Sequence, residues 1–315
     1  MNPATLEAVR GVAAQLPVVT AADVARRGLD GMDLRAACLA GELVRIRFGA
    51  YTSARAWASL DSLERYRLRV LAAGRAFKDP LFSHDSAAAL WRLPRVGAWP
   101  SGIHVSIPEG RGARSVPSVR RHTVSSAPHA AVVEGLRTTT VARTVVDLGR
   151  SWSTCAALSA ADHALHTGLV APEELRAELE AVGAVPGARR ARRVVLAADG
   201  RSESVGESLS RARMIELGLP APVLQHEVRD GEGAIGRVDF WWPGLGLVGE
   251  FDGRLKYRVH GLTDGRLVEE RVWAEKLRED RLRGAGLRVV RWTWDVALDA
   301  SALAARLAAA GLHPR

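Results

Sequence analysis

Two short apolar segments, Ile235–Trp242 and Leu247–Asp252, joined by the four-residue turn Pro243-Gly244-Leu245-Gly246, constrain this chain more than any other feature. So short a connection calls for an antiparallel hairpin. If Trp242 pairs with Leu247, each outward step pairs residues whose numbers keep the same sum. Asp239 then stands opposite Glu250. Side chains so placed have Cβ atoms about 4.5–5.5 Å apart, and like charges there are destabilising, so something positive must sit between them. Asp252 follows Glu250 at the strand period and adds a third carboxylate to the same face.

The surrounding pattern supplies the rest of a domain. A helix over 204–217 stops at Gly218, a strand covers 223–229, and a helix over about 267–284 runs to Gly284 and Gly286. A strand over 287–294 and a helix over 301–310 close the chain. The order αβββαβ with a terminal helix predicts an α/β fold, a mixed sheet flanked by helices. Hard divalent cations such as Mg²⁺ (or Mn²⁺) take carboxylate oxygens and can activate water or stabilise phosphoryl charge, so phosphodiester hydrolysis is the natural use of Asp239, Glu250 and Asp252. Glu207 on the preceding helix is a further candidate acid, and Lys256 lies close enough to reach an attacking water or the transition-state charge.

Arg237-Val238-Asp239-Phe240 and Gly249-Glu250-Phe251-Asp252-Gly253-Arg254-Leu255-Lys256 resemble the core of the PD-(D/E)XK nuclease superfamily, in its branch similar to very-short-patch-repair endonucleases. Arg278, Asp280, Leu282, Gly286 and Val290-Arg291-Trp292-Thr293-Trp294 match that branch's closing helix and strand. The resemblance spans about 100 residues of the sequence. It implies a restriction-endonuclease-like domain with Asp239 and Glu250 as metal ligands, Glu207 as the helix acid and Asp252 as a further ligand or site-shaping residue. Asp252 stands where the superfamily carries a lysine, which leaves Lys256 as the substitute or the site without one. The acids also have a second reading, a cluster neutralised by Arg237, Arg254 or Arg291 in a nuclease-like fold that only binds.

The N-terminal segment reads differently. Residues 5–15, 20–28 and 32–40 have helical spacing, with Thr20 as an N-cap and Gly28 and Gly41 as stops; Leu43–Phe48 is extended, and Ala50-Tyr51-Thr52 follows Gly49. Helices followed by a hairpin with arginines on one face form the order of a small winged helix. Val18-Val19-Thr20 through Arg45-Ile46-Arg47-Phe48-Gly49-Ala50-Tyr51 resembles the N-terminal domain of AbiEi antitoxins. Phe82-Ser83-His84-Asp85-Ser86-Ala87-Ala88-Ala89-Leu90-Trp91 and Thr138 to Asp147 are similar to later segments of AbiEi-like proteins. In such a domain Arg35 approaches a DNA groove while Arg45 and Arg47 contact phosphates. The same unit could instead dock protein.

Four segments are expected: a winged helix over 1–60, a basic α+β region over 61–185, an Arg-rich connector over 186–202, and the nuclease-like domain over 203–315. The net charge of +9 is concentrated in 61–150, where 14 basic side chains meet 7 acidic ones. Such an excess is the footprint of a polyanion, so DNA is the expected partner. Arg189, Arg190, Arg192 and Arg193 are the densest basic cluster, either a phosphate-contacting strip or a solvated helix face. His84, His104, His122 and His129 are scattered and read as structural. Cys38 and Cys155 read as small buried hydrophobes without disulfide or zinc-site spacing. No apolar run reaches the ~18 residues of a membrane span and no signal peptide is evident, so the expected address is the cytoplasm.

Two functions are consistent with these residues. One is a metal-dependent endodeoxyribonuclease. The other is an AbiEi-like antitoxin or transcriptional regulator, with a toxin or defence-system partner and a silent nuclease-like domain. A homodimer is compatible with either, and a two-acid site does not itself distinguish DNA from RNA.

Overall fold

The computed structural model describes residues 2–109, 118–124, 129–253 and 265–314; within 265–272 and at 275 only the backbone is described. Arg254 and Lys256 lie outside the described residues. Two compact units emerge, Met1–Arg150 with Ala177–Gly183, and Ser151–Arg176 with Ala184–Arg315. The boundary expected near 185 lies close to the chain's return to the second unit. Those expected at 60 and 202 lie inside units.

The first unit opens with α1 (Pro3–Gln15), β1 (Val19–Thr20), α2 (Ala21–Ala25), α3 (Gly31–Leu39), β2 (Leu43–Arg47) and β3 (Ala50–Ser53). This is the helix–hairpin order read from the sequence, with the strands arranged β1-β3-β2. Asp30 fixes the start of α3 by accepting from the backbone of Met32 and Asp33, while the Asp33 carboxylate accepts from Asp30 N, a reciprocal cap. Val9, Val12, Val19, Val24, Leu34, Leu43 and Tyr51 form the small core. The hairpin departs from expectation at one point: Arg45 pairs with Tyr51 but Arg47 with Ala50, a bulge at Ile46 that breaks the alternation and sends the two arginines to different surroundings.

Two further helices, α4 (Ala54–Ser59) and α5 (Ser62–Ala76), follow without a break, and Leu68 and Ala72 of α5 share an apolar cluster with Val18 and Ala50, which explains why residue 60 is no boundary. Next come β4 (Leu81–Phe82), α6 (His84–Leu90), β5 (Ile103–Pro108), β6 (Val119–Val124), β7 (Ala130–Val133), β8 (Leu136–Thr139) and α7 (Val141–Ser151). These strands form one mixed sheet in the order β6-β5-β4-β8-β7. Tyr66, Val70 and Ala73 of α5 pack against Phe82, Ile103, Val105 and Val119 beneath it.

The second unit begins with α8 (Thr154–His166). Next is α9 (Pro172–Val182), whose residues from Ala177 belong to the first unit, and then α10 (Ala188–Ala197). Continuing the chain are α11 (Val205–Glu216), β9 (Val223–Asp230), β10 (Gly233–Trp242), β11 (Leu247–Asp252), α12 (Gly265–Gly284), β12 (Arg288–Thr293), α13 (Trp294–Leu298) and α14 (Ala300–Ala309). The αβββαβ order is present, with strands arranged β12-β11-β10-β9, β11 and β12 parallel and the rest antiparallel. Trp294 opens a helix instead of ending the strand. Arg211 of α11 donates to both oxygens of buried Asp162 on α8 at 2.7 Å, so a boundary at 202 would cut an ion pair. Two contacts seat α11 on the sheet: Trp292 Nε1 donates to Ser210 Oγ at 2.7 Å, and Gly206 lies so close to Phe251 that an added Cβ would come within 1.9 Å of its ring.

Candidate functional site

The hairpin register is the one the turn predicts. Trp242 pairs with Leu247, Trp241 with Val248 and Phe240 with Gly249; one further step of the same count, beyond these pairs, leads to Asp239 and Glu250. Pro243–Leu245 close the turn as a short 3-10 helix, with Gly246 left-handed. Arg237, Asp239, Glu250, Phe251, Asp252, Arg278 and Arg291 line one cleft of about 270 Å³. All three predicted carboxylates of the hairpin thus reach a common place.

Glu207 joins them from α11. Gln225 Nε2 donates to Glu207 Oε2 at 2.8 Å and lies 3.5 Å from Asp239 Oδ1, linking helix acid and strand acid. Gln225 adopts a left-handed backbone conformation, φ +52°, which a non-glycine residue holds only where its surroundings impose it. The other Asp239 oxygen accepts from Phe251 N at 2.8 Å. Burial, then the charges of Glu207 and Glu250, push the Asp239 carboxyl up to about 7.

The required positive group is present, and there are two of them. Arg278 Nη2 donates to Glu250 Oε1 at 2.7 Å, and Arg291 Nη2 lies 3.1 Å from Glu250 Oε2. The neutralising arginine foreseen at 291 is in place, Arg237 instead pairs with Glu203 at 2.5 Å, and Arg278 is the partner that spacing alone does not reveal. Among the described residues, no three His, Cys, Asp or Glu side chains converge to hold one ion. The oxygen donors suit a hard cation, but Glu250 is committed to guanidinium. The cation site expected at Asp239, Glu250 and Asp252 is therefore not preformed, and these residues as arranged do not fit one.

In the first unit, Arg35 and Arg45 line one groove with Met32, Phe48 and Tyr51, and Arg45 stacks over the exposed Phe48 ring at 5.3 Å. Arg47 does not join them: past the bulge its guanidinium lies 4.6 Å from the Phe77 ring, and burial lowers its pKa. It is thus half-buried and set apart from the groove that Arg35 and Arg45 line. In the second unit, Arg189, Arg192 and Arg193 are exposed on α10 and Arg190 is half-buried, while Ala191, Val194 and Val195 form the inner face. Cys155 is buried as expected, with Sγ 3.5 Å from Glu216 Oε2; Cys38 is only half-buried.

Three of the scattered histidines come together. His84 stacks on His122 with ring centroids 3.5 Å apart, and His122 Nε2 lies 3.1 Å from His104 Nδ1, itself 3.4 Å from Asp85 Oδ2. Burial, then neighbouring cationic charge, holds His104 and His122 down to about 4. Ser106 pairs with His122 across the parallel β5–β6 register, a long-range pairing that no local sequence signal announces.

Two Mycobacterium tuberculosis proteins, Uncharacterized protein Rv2248 of strain H37Rv and Uncharacterized protein MT2308 of strain CDC 1551, are each 32% identical over 182 residues, 56% of this chain and 62% of theirs. The chain thus spans less than two thirds of the length of these relatives. A crystal structure of the Rv2827c protein from Mycobacterium tuberculosis aligns with a TM-score of 0.39 at 18% identity, covering 74% of this chain and 90% of that one. No described helix is long and apolar enough to cross a membrane. Residues 89–195 match the family of AbiEi antitoxin C-terminal domains.

Proposed function

We propose that this protein is a DNA-binding regulator of the antitoxin type, whose C-terminal acidic cleft is catalytically silent. The observation that carries the reading is the match of residues 89–195 to AbiEi antitoxin C-terminal domains. Two features support it. The N-terminal elements follow the winged-helix order, with Arg35 and Arg45 on one groove able to engage DNA phosphates. Both oxygens of Glu250 are occupied by arginines. The partner of an antitoxin is a toxin or another component of a defence system, and DNA is the ligand of the basic surface.

The test is salt-dependent retardation of duplex DNA in EDTA. Arg35→Ala and Arg45→Ala should each weaken binding and lower the salt slope by about 1, as expected for one lost phosphate contact, while Arg47→Ala leaves the slope unchanged. A slope unaffected by both of the first two substitutions would exclude the groove as the DNA surface.

One observation favours a second reading, a metal-dependent endonuclease acting on DNA or RNA phosphodiesters. Asp239 is crowded by Glu207 and Glu250 and held up to about 7, an arrangement more usual at reaction centres than in structural ion pairs. Cleavage of plasmid DNA that requires Mg²⁺ or Mn²⁺ and disappears in Glu250→Gln would establish that reading over the first.

A further inference from the structure

The occupation of Glu250 by arginine has a structural basis in two separate elements. Glu250 and Arg291 are register partners on parallel strands β11 and β12, which brings their side chains together at one level of the sheet. Arg278 arrives from α12 past a deliberate gap in β10. The strand is irregular between Ala234 and Gly236, Gly236 has φ +146°, and a Cβ there would stand 3.1 Å from Arg278 Nε. A side chain at 236 would be strained at this φ and would crowd the guanidinium, which would have to give by a few tenths of an ångström. Beyond that gap Arg278 Nη2 donates both to Arg237 O and to Glu250 Oε1, each at 2.7 Å. Arg291 Nη2 is held in turn by Glu279, 3.3 Å away.

A carboxylate engaged in this way is a poor ligand. A divalent ion at Glu250 must displace two charge-assisted interactions and then sit beside two fixed positive charges, whose repulsion is strong in a partly buried cleft. We propose that Arg278 and Arg291 form a built-in counter-cation for Glu250, so that the cleft takes a divalent cation readily only when those guanidiniums are removed. The inference rests on the reading of the cleft as silent and gives that silence a cause.

The test is calorimetric titration of the full-length chain with MnCl₂, comparing wild type with the double variant Arg278→Gln/Arg291→Gln and with the triple variant that adds Glu250→Gln. The double variant should bind Mn²⁺ at least tenfold more tightly than wild type, and the added Glu250→Gln should abolish the gain. Arg291→Gln alone leaves Arg278 and its backbone anchor in place; if the double variant unfolds by circular dichroism, this single variant carries the test, with a smaller gain of the same sign. Wild-type affinity equal to that of the folded arginine variants, or a gain that survives loss of Glu250, overturns the proposal. The two ideas fail separately. Intact plasmid together with tight wild-type Mn²⁺ binding removes the counter-cation and leaves the silence, whereas cleavage by wild type removes the silent reading itself.

Discussion

Asp239 concentrates the electrostatics of the second unit. Its carboxyl is half-buried, accepts one backbone N–H from Phe251, and is raised from 3.8 to about 7 by burial and by the neighbouring Glu207 and Glu250. An acid whose pKa is higher in the folded state binds its proton more tightly there than when unfolded. Its stabilising effect is full below about 4 and is lost as pH rises through about 7. Replacement by asparagine removes this dependence. Asp239→Asn should therefore be more stable than wild type above pH 7, by up to ~4 kcal/mol at ~1.4 kcal/mol per pKa unit, with the difference shrinking as pH falls toward 4. Chemical denaturation at pH 8 and pH 4.5 measures it; equal gains at both values would show that the carboxylate is not under strain. Gln225 belongs to the same cluster, yet neither its identity nor its spacing marks it, because its role depends on a left-handed backbone that propensity does not predict.

Among the elements, α11 is closely seated on β11. Gly206 admits the Phe251 ring where a Cβ would come within 1.9 Å of it, and a Cβ added at Gly249 would come within 2.8 Å of the Trp292 ring and 2.9 Å of the Trp242 ring. Gly206→Ala should cost about 1–3 kcal/mol through overpacking and lower the unfolding midpoint, whereas Gly244→Ala, with open space around it, should not. A Gly206→Ala protein as stable as wild type would mean that helix and strand are less closely seated. Much of this region is legible in the sequence, since a four-residue turn fixes a register and that register brings Asp239, Glu250 and Asp252 into one cleft. The hairpin of the first unit is less legible: alternation puts Arg45 and Arg47 on one face, and a single bulged residue separates them. Arg278 eludes the same logic because its partner is 28 residues away and its path depends on a glycine whose purpose appears only in three dimensions.

At the level of the whole molecule, the histidine cluster of the first unit and Asp239 of the second contribute to stability with opposite dependence on pH. In the first, His104 and His122 are held neutral, down to about 4 against an ordinary 6.5, by burial and surrounding arginines. A depressed histidine contributes stability that is present above 6.5 and lost as pH falls toward 4, the reverse of Asp239. Thermal unfolding should show the first unit weakening over that interval, and less steeply in His122→Gln; an identical slope in the variant would mean that the histidines do not govern it. The histidine cluster and the domain division are the parts least visible in sequence, since both depend on pairings between distant strands and helices. The joint claim that the chain binds DNA and leaves it uncut is tested most directly with supercoiled plasmid in EDTA, Mg²⁺ or Mn²⁺, assaying retardation and strand integrity together. Retarded but intact plasmid in all three conditions, with retardation lost at high salt, is the predicted result. Nicked or linear plasmid only with metal, abolished in Asp239→Asn, would contradict it.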